Sequence, residues 1–175
     1  GRTVTPRVAE TDCAMILSTS GTTGRGKGVM LSNRNLIDNT FSSTDKNHPE
    51  NEIYLNILPI HHVFCINSDV LVAMRYGVLL CLNRDMSKLA EHLLLFEPTS
   101  FRAVPMVAKA LYNRFCLLRK QNPDKSQEEL KTQVFVSRLH RVVCGGGYLT
   151  PELAQNYMDL GISIGQGYGM SECSP

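Results

Sequence analysis

The sequence predicts an α/β fold built on a mostly parallel sheet with flanking helices, and three features carry that reading. Short apolar runs alternate along the chain with longer stretches whose apolar residues recur at helical spacing. Proline and glycine fall between these runs, while Ser, Thr or Asp stands where the helical stretches begin. Strands separated by helices of about ten residues or more cannot pair as hairpins, so parallel pairing through right-handed crossovers is expected. With 43% hydrophobic and 19% charged residues, the 175-residue chain has a globular composition and fits one domain.

The elements follow in order. Ala14 to Leu17 reads as a buried strand, a Gly/Thr/Ser loop runs to Lys27, and Val29-Met30-Leu31 reads as a second strand. Ser32 can cap a helix through Leu36, Ile37 and Thr40. Ile53 to Leu58 is a strand stopped by Pro59, Val63 to Tyr76 has a helical pattern, and Val78 to Leu82 is again strand. Asp85 caps the next helix, Leu89 to Phe96, ended by Pro98. Ser100 to Val104 is strand-like, and Pro105 opens a helix with Val107, Leu111, Phe115 and Leu118 on one side. Residues 122–129 form a polar surface excursion, within which Ser126 and Glu129 are spaced as a capping box. Leu139 to Cys144 is a strand entering Gly145-Gly146-Gly147; Thr150-Pro151-Glu152 opens a helix to Leu160, and Ile162 to Ile164 is the last strand. Ligands are expected in loops past the carboxyl ends of the strands.

Composition narrows the function classes. A formal charge of +2 with no basic run beyond Arg119-Lys120 argues against a nucleic-acid face. The longest uncharged stretch, Ile53 to Ser68, contains Asn56, Pro59, His61, His62 and Asn67, so no membrane span is expected. The opening residues, Gly1 to Pro6, have no apolar core and predict no secretory signal. The six cysteines form no Cys-x-x-Cys pair and sit mostly in apolar runs, which points to a reduced, cytoplasmic setting without structural disulfides.

The segment richest in chemistry is Thr19-Ser20-Gly21-Thr22-Thr23-Gly24-Arg25-Gly26-Lys27-Gly28. Its glycines free the backbone to turn N–H groups inward, its four hydroxyls add donors, and Lys27 adds a point charge, as a polyphosphate cradle requires. Gly21, Gly26 and Lys27 also match the start of a P-loop. A P-loop then needs Ser or Thr for Mg²⁺ and an immediate helix, whereas Gly28 and an apolar, strand-like run follow here.

This loop resembles the phosphate-binding signature of the adenylate-forming superfamily, T-S-G-T-T-G-x-P-K-G-V, matched from Thr19 to Val29 except for Gly26 in place of proline. The continuation to Leu36 resembles acyl-CoA synthetases. Leu58-Pro59-Ile60-His61-His62 resembles the family's L-P-x-x-H segment, and Gly145 to Leu153 resembles G-G-A-x-L-S-x-E-L, with Tyr148 unusual there. Gln166-Gly167-Tyr168-Gly169-Met170-Ser171-Glu172 resembles G-Y-G-x-T-E, with Ser171 keeping the hydroxyl of the usual Thr. The matches fall in the family's order and span nearly the whole chain.

The resemblance implies ATP-dependent activation of a carboxylic acid, such as a fatty or other acyl acid, to an acyl-adenylate, followed by thioester formation with CoA. It implies a phosphate loop at residues 19–29, in which Thr19, Ser20, Gly21, Thr22, Thr23, Gly24 and Lys27 hold the outer phosphates. It implies an adenine-side segment at residues 145–172, in which Gly145, Gly146, Gly147, Gln166, Gly167, Tyr168 and Gly169 surround the base. Ser171 is then expected at the α-phosphate, Glu172 on Mg²⁺, and His62 beside the acyl pocket. Lys27, Ser171 and Glu172 are the expected catalytic residues. Taken alone, His62 also reads as a core or helix-start histidine, Gly145 to Gly147 as a strand-to-helix turn, Tyr168 as a packing aromatic and Glu172 as a solvated carboxylate.

Family members are much longer, with a ribose-binding Asp, a hinge and a small C-terminal domain carrying a Lys downstream. The resemblance therefore implies that residues 1–175 are one partial AMP-binding domain whose partner is the rest of the large N-terminal domain and the C-terminal domain. By itself the chain is expected to be a poor catalyst and to self-associate. A non-catalytic nucleotide-binding or scaffold domain of the same fold is the alternative.

Overall fold

The computed structural model describes residues 7–19, 27–42 and 50–174. Two sheets organise them. Strands β1 (Cys13–Thr19) and β2 (Lys27–Ser32) form an antiparallel ribbon. A separate five-stranded sheet contains β3 (Ile53–Asn56), β4 (Leu79–Leu82), β5 (Ser100–Ala103), β6 (Arg141–Cys144) and β7 (Ser163–Gln166). Its order is β4-β3-β5-β6-β7 and every pair is parallel, as the sequence predicts.

The helices are α1 (Asn33–Ser42), α2 (Val63–Cys65), α3 (Val72–Tyr76), α4 (Leu89–Phe96), α5 (Pro105–Gln121), α6 (Gln127–Phe135) and α7 (Pro151–Asp159). Several begin where the sequence places a cap. Ser32 Oγ accepts from the Asn35 N–H at 3.2 Å, and Thr150 Oγ1 accepts from the Leu153 N–H at 3.2 Å. Ser126 and Glu129 make both bonds of the capping box, at 3.3 and 2.8 Å. Asp85 caps a 3-10 turn, Met86–Lys88, that leads into α4.

The central strand β5 is buried along its whole length, and its alternation sends side chains to two different environments. Phe101 and Ala103 join the main apolar core, with Leu55, Leu93, Ala108, Leu111, Phe115, Leu130, Val142 and Tyr157 from α4 to α7 and the neighbouring strands. Ser100 and Arg102 face the other side, where Arg102 reaches the rod formed by α2, a π-helical segment (Ile66–Leu71) and α3. The helical pattern over Val63 to Tyr76 is thus realised with a π insertion, marked by the Val72 N–H donating to the Asn67 carbonyl.

The expectation of a buried first strand is corrected. Ile16 is 67% and its neighbour across the ribbon, Met30, 66% exposed. The run lies outside the parallel sheet, so only one face is covered: Met15, Leu17 and Val29 pack with Leu31, Leu36, Val63 and Leu71. A two-stranded ribbon has no second layer to bury the opposite face.

Candidate functional site

The ribbon ends at the phosphate-loop motif. Thr19 on β1 lies opposite Lys27 on β2, and Ser18 opposite Gly28. Ser20, Gly21, Thr22, Thr23 and Gly24 lie outside the described residues. Lys27 is exposed and forms no ion pair among the described residues. Because Lys27 to Ser32 is strand, no helix begins at Lys27, which removes the P-loop reading.

Two turns meet at the carboxyl ends of β6 and β7. The Gly145 N–H donates to the Ala103 carbonyl at 2.9 Å, and the Gly167 N–H to the Cys144 carbonyl at 2.7 Å. Gly146 takes φ +67°, which a side chain would oppose. A Cβ on Gly145 would stand 2.9 Å from the Phe64 ring, and one on Gly167 3.9 Å from the same ring. Gln166 Oε1 accepts from the Leu149 N–H at 3.1 Å, tying the end of β7 to the glycine turn. Gly145 to Gly147 do form a strand-to-helix turn, between β6 and α7. Tyr168 is 89% exposed, so it is not a packing aromatic. Tyr148 and Gly169 are also exposed.

Beyond this turn, Ser171–Cys173 form a 3-10 helix that lies against β2, which brings the Glu172 segment beside the ribbon that carries Lys27. Ser171 is half-buried and Glu172 is exposed without an ion-pair partner among the described residues. Ser174, by contrast, is buried, and holds φ +51°. Asn67 Nδ2 donates to its carbonyl and its Oγ, both at 3.1 Å.

His62 is exposed and caps α2: its Nδ1 accepts from the Phe64 N–H at 3.3 Å. A neutral imidazole in this role carries its proton on Nε2. The helix-start reading of His62 holds, and the Phe64 ring, two residues on, links this cap to the two glycine turns.

Sequence reasoning missed a buried polar cluster beneath this end of the sheet. The Arg102 Nε lies 3.3 Å from Asp69 Oδ1, with both side chains buried. Asn56 Nδ2 donates to Asp69 Oδ2 at 3.0 Å, and the Arg102 guanidinium lies 3.8 Å over the Tyr54 ring. The ion pair is off-line for hydrogen bonding, and among the described residues Arg102 Nη1 and Ser100 Oγ also have no hydrogen-bond partner. Burial pushes the Asp69 carboxyl above its ordinary range, while Arg102 and Asn56 pull it back. Burial, with the Asp69 charge beside it, pushes the Cys65 thiol up to about 12, so it is not a nucleophile. The available signal was one acid in the otherwise uncharged Val63–Ala73 stretch and one base within Ser100–Val104.

In comparison with known families, residues 2–175 match the AMP-binding enzyme family. The chain belongs to that family. This AMP-binding chain is 28% identical to the peroxisomal OPC-8:0-CoA ligase 1 of Arabidopsis thaliana, over 98% of the chain and 30% of that protein. It is 30% identical to a long-chain-fatty-acid–CoA ligase of Haemophilus influenzae, with the same two coverages. The chain thus spans about 30% of the length of these curated relatives. Among solved structures, it resembles O-succinylbenzoate coenzyme A synthetase from Bacillus subtilis, in complex with ATP and magnesium ion. The TM-score is 0.74 at 21% identity, over 99% of this chain and 34% of that one, a likeness of fold.

A nucleotide-bound Mg²⁺ fits the donor set. Among the described residues no group of three or more His, Cys, Asp or Glu could hold a metal. Mg²⁺ in nucleotide sites commonly takes one or two carboxylates and completes its shell with phosphate oxygens and water, so one accessible carboxylate suffices. No described helix is long and apolar enough to cross a membrane, and all six cysteines are free.

Proposed function

We propose that this AMP-binding chain is the nucleotide-binding part of an acid–CoA ligase, which activates a carboxylic acid with ATP and passes the acyl group to CoA. The observation that carries the reading is the meeting of three motifs: the Tyr168–Glu172 segment follows the glycine turns, and the Ser171–Cys173 turn at its end lies against the strand that begins at Lys27.

In this reading the substrate carboxylate attacks the α-phosphorus of ATP, the bond to pyrophosphate breaks, and the CoA thiol then displaces AMP from the acyl carbon. Lys27 and the loop from Thr19 through Ser20, Gly21, Thr22, Thr23 and Gly24 hold the outer phosphates as negative charge moves onto them. Ser171 donates to the α-phosphate. Glu172 would hold Mg²⁺, which when bound would neutralise phosphate charge. The Tyr168 ring stacks on adenine, with Gly145, Gly146, Gly147, Gly167 and Gly169 leaving room for the base and Gln166 bracing the turn. His62 borders the acyl group. The acid is of the fatty or other acyl class, in a cytoplasmic setting, and the domain extends over residues 1–175. Exposed Ile16, Met30, Met74 and Met106 favour self-association of the chain by itself.

Calorimetric titration of ATP and AMP against the parent and Lys27→Ala tests the cradle. Loss of a charge-assisted contact should weaken ATP about tenfold or more and leave AMP nearly unchanged. Equal loss for both nucleotides, or none, removes Lys27 from the phosphate site.

A further inference from the structure

We infer that Asn67 is a positioning residue for the metal-binding end of the site, acting through Ser174 on the Ser171–Glu172 segment; this rests on the role proposed for Glu172. Asn67 and Ser174 are 107 residues apart in sequence, yet both are almost fully buried, at 1% and 2% exposure. The Asn67 carboxamide spends its donors on Ser174, at 3.1 Å to the carbonyl oxygen and 3.1 Å to Oγ, with Asn39 Oδ1 at 3.4 Å. Ser174 Oγ in turn donates to the Asn35 carbonyl at 3.4 Å.

The place of this contact is what gives it a functional consequence. Ser174 follows the 3-10 turn that carries Ser171 and Glu172, and its own N–H closes that turn on the Ser171 carbonyl at 3.3 Å. Its φ of +51° is a conformation that a residue with a Cβ holds only when its surroundings impose it. Asn67 supplies two of the bonds that impose it. Glu172 itself is exposed and has no ion-pair partner among the described residues to fix it. What holds Glu172 is therefore the turn that carries it, and Ser174 closes that turn.

Asn67 is well held for this task. It lies in the π-helical segment, two residues before Asp69, which is tied to the sheet by Arg102 and Asn56. Through the Asn67 carboxamide, the π-helical segment that Asp69 ties to the sheet reaches the residue just after Ser171–Cys173. In a regular α-helix over residues 63–76 the faces beyond the insertion would be rotated, so Asn67 and Asp69 depend on the π turn for their joint placement.

The test uses the protein at its full natural length, with Asn67→Ala, Asn67→Leu, Ser174→Ala and Glu172→Gln. Asn67→Leu keeps the volume of the side chain and loses the donors. Hydrogen exchange of the amides of residues 171–174 should quicken about tenfold in both Asn67 variants. Calorimetry should show ATP affinity in the presence of Mg²⁺ falling about tenfold while AMP affinity stays within twofold. Ser174→Ala keeps the carbonyl acceptor, so its effect should be smaller, and because both variants lose the Asn67–Oγ bond the double variant should fall short of the sum of the two.

Unchanged exchange in residues 171–174, or full rescue by Asn67→Leu, overturns the inference. So does an Mg²⁺-dependent ATP affinity that Glu172→Gln alters and the Asn67 variants do not. If Glu172→Gln leaves the Mg²⁺ dependence intact, the role of Glu172 falls on its own account. The exchange measurement then still decides whether Asn67 holds the segment.

Discussion

Gly145→Ala should destabilise the protein by a purely steric route. The backbone there is not in the left-handed region, so alanine meets no conformational penalty of its own. The added Cβ would stand 2.9, 3.1 and 3.3 Å from three atoms of the Phe64 ring, against an ordinary carbon–carbon contact of about 3.5–4.0 Å. The Phe64 backbone is held, with Val63 and Cys65 buried on either side and its N–H engaged by the His62 cap, so relief has to come from a shift of the half-buried ring itself. Overpacking of this kind costs about 1–3 kcal/mol. For a domain of this size, Tm falls roughly 2–4 °C per kcal/mol, so a drop of about 2–12 °C is expected. Thermal unfolding of the parent, Gly145→Ala, Phe64→Ala and the double variant isolates the contact. With the ring removed, Gly145→Ala should become neutral or stabilising by a few tenths of a kcal/mol, because alanine loses less chain entropy than glycine on folding. A cost that is the same with and without the ring refutes the steric argument.

Two further outcomes follow from buried groups. Asp69 has a folded-state pKa raised above its unfolded value, chiefly by burial. Its contribution to stability is therefore fully present below the unfolded pKa and declines as pH rises from there toward the folded pKa. Denaturant unfolding from pH 3.5 upward should show the stability of the parent relative to Asp69→Asn falling with pH; a difference that rises with pH reverses the assignment. Tyr157 is fully buried and its hydroxyl donates to the Ala108 carbonyl at 2.8 Å. Tyr157→Phe should cost about 1 kcal/mol by chemical denaturation, and no loss would mean that the bond adds nothing net.

What the sequence reveals here depends on how local each cause is. The strand–helix alternation, the Ser32, Ser126 and Thr150 caps and the parallel pairing all follow from neighbouring residues or from crossover length, and all are found in the fold. The sheet order is set by packing between distant segments, so no local pattern announces it. The apolar run at Ala14 to Leu17 looks the same in a ribbon as in a central strand, because burial depends on what covers the second face. Of the candidate site, the glycine turns lie at the carboxyl ends of β6 and β7, with the exposed Tyr168 and Glu172 just beyond, in loops of the kind the alternation predicts for ligands. The supports behind them were not legible. Arg102 with Asp69, and Asn67 with Ser174, are tertiary pairs whose members look ordinary in their own segments.

Acid activation through an adenylate leaves an isotopic signature in AMP. The protein at its full natural length would be supplied with ATP, Mg²⁺, CoA and a panel of acyl acids labelled with ¹⁸O in the carboxylate, and the products analysed by mass spectrometry. Attack of the carboxylate on the α-phosphorus leaves one labelled oxygen in AMP, with unlabelled pyrophosphate released. Labelled AMP formed only when acid is present is the predicted result. ADP and phosphate, unlabelled AMP, or nucleotide binding with no acid-dependent product from any member of the panel would contradict it.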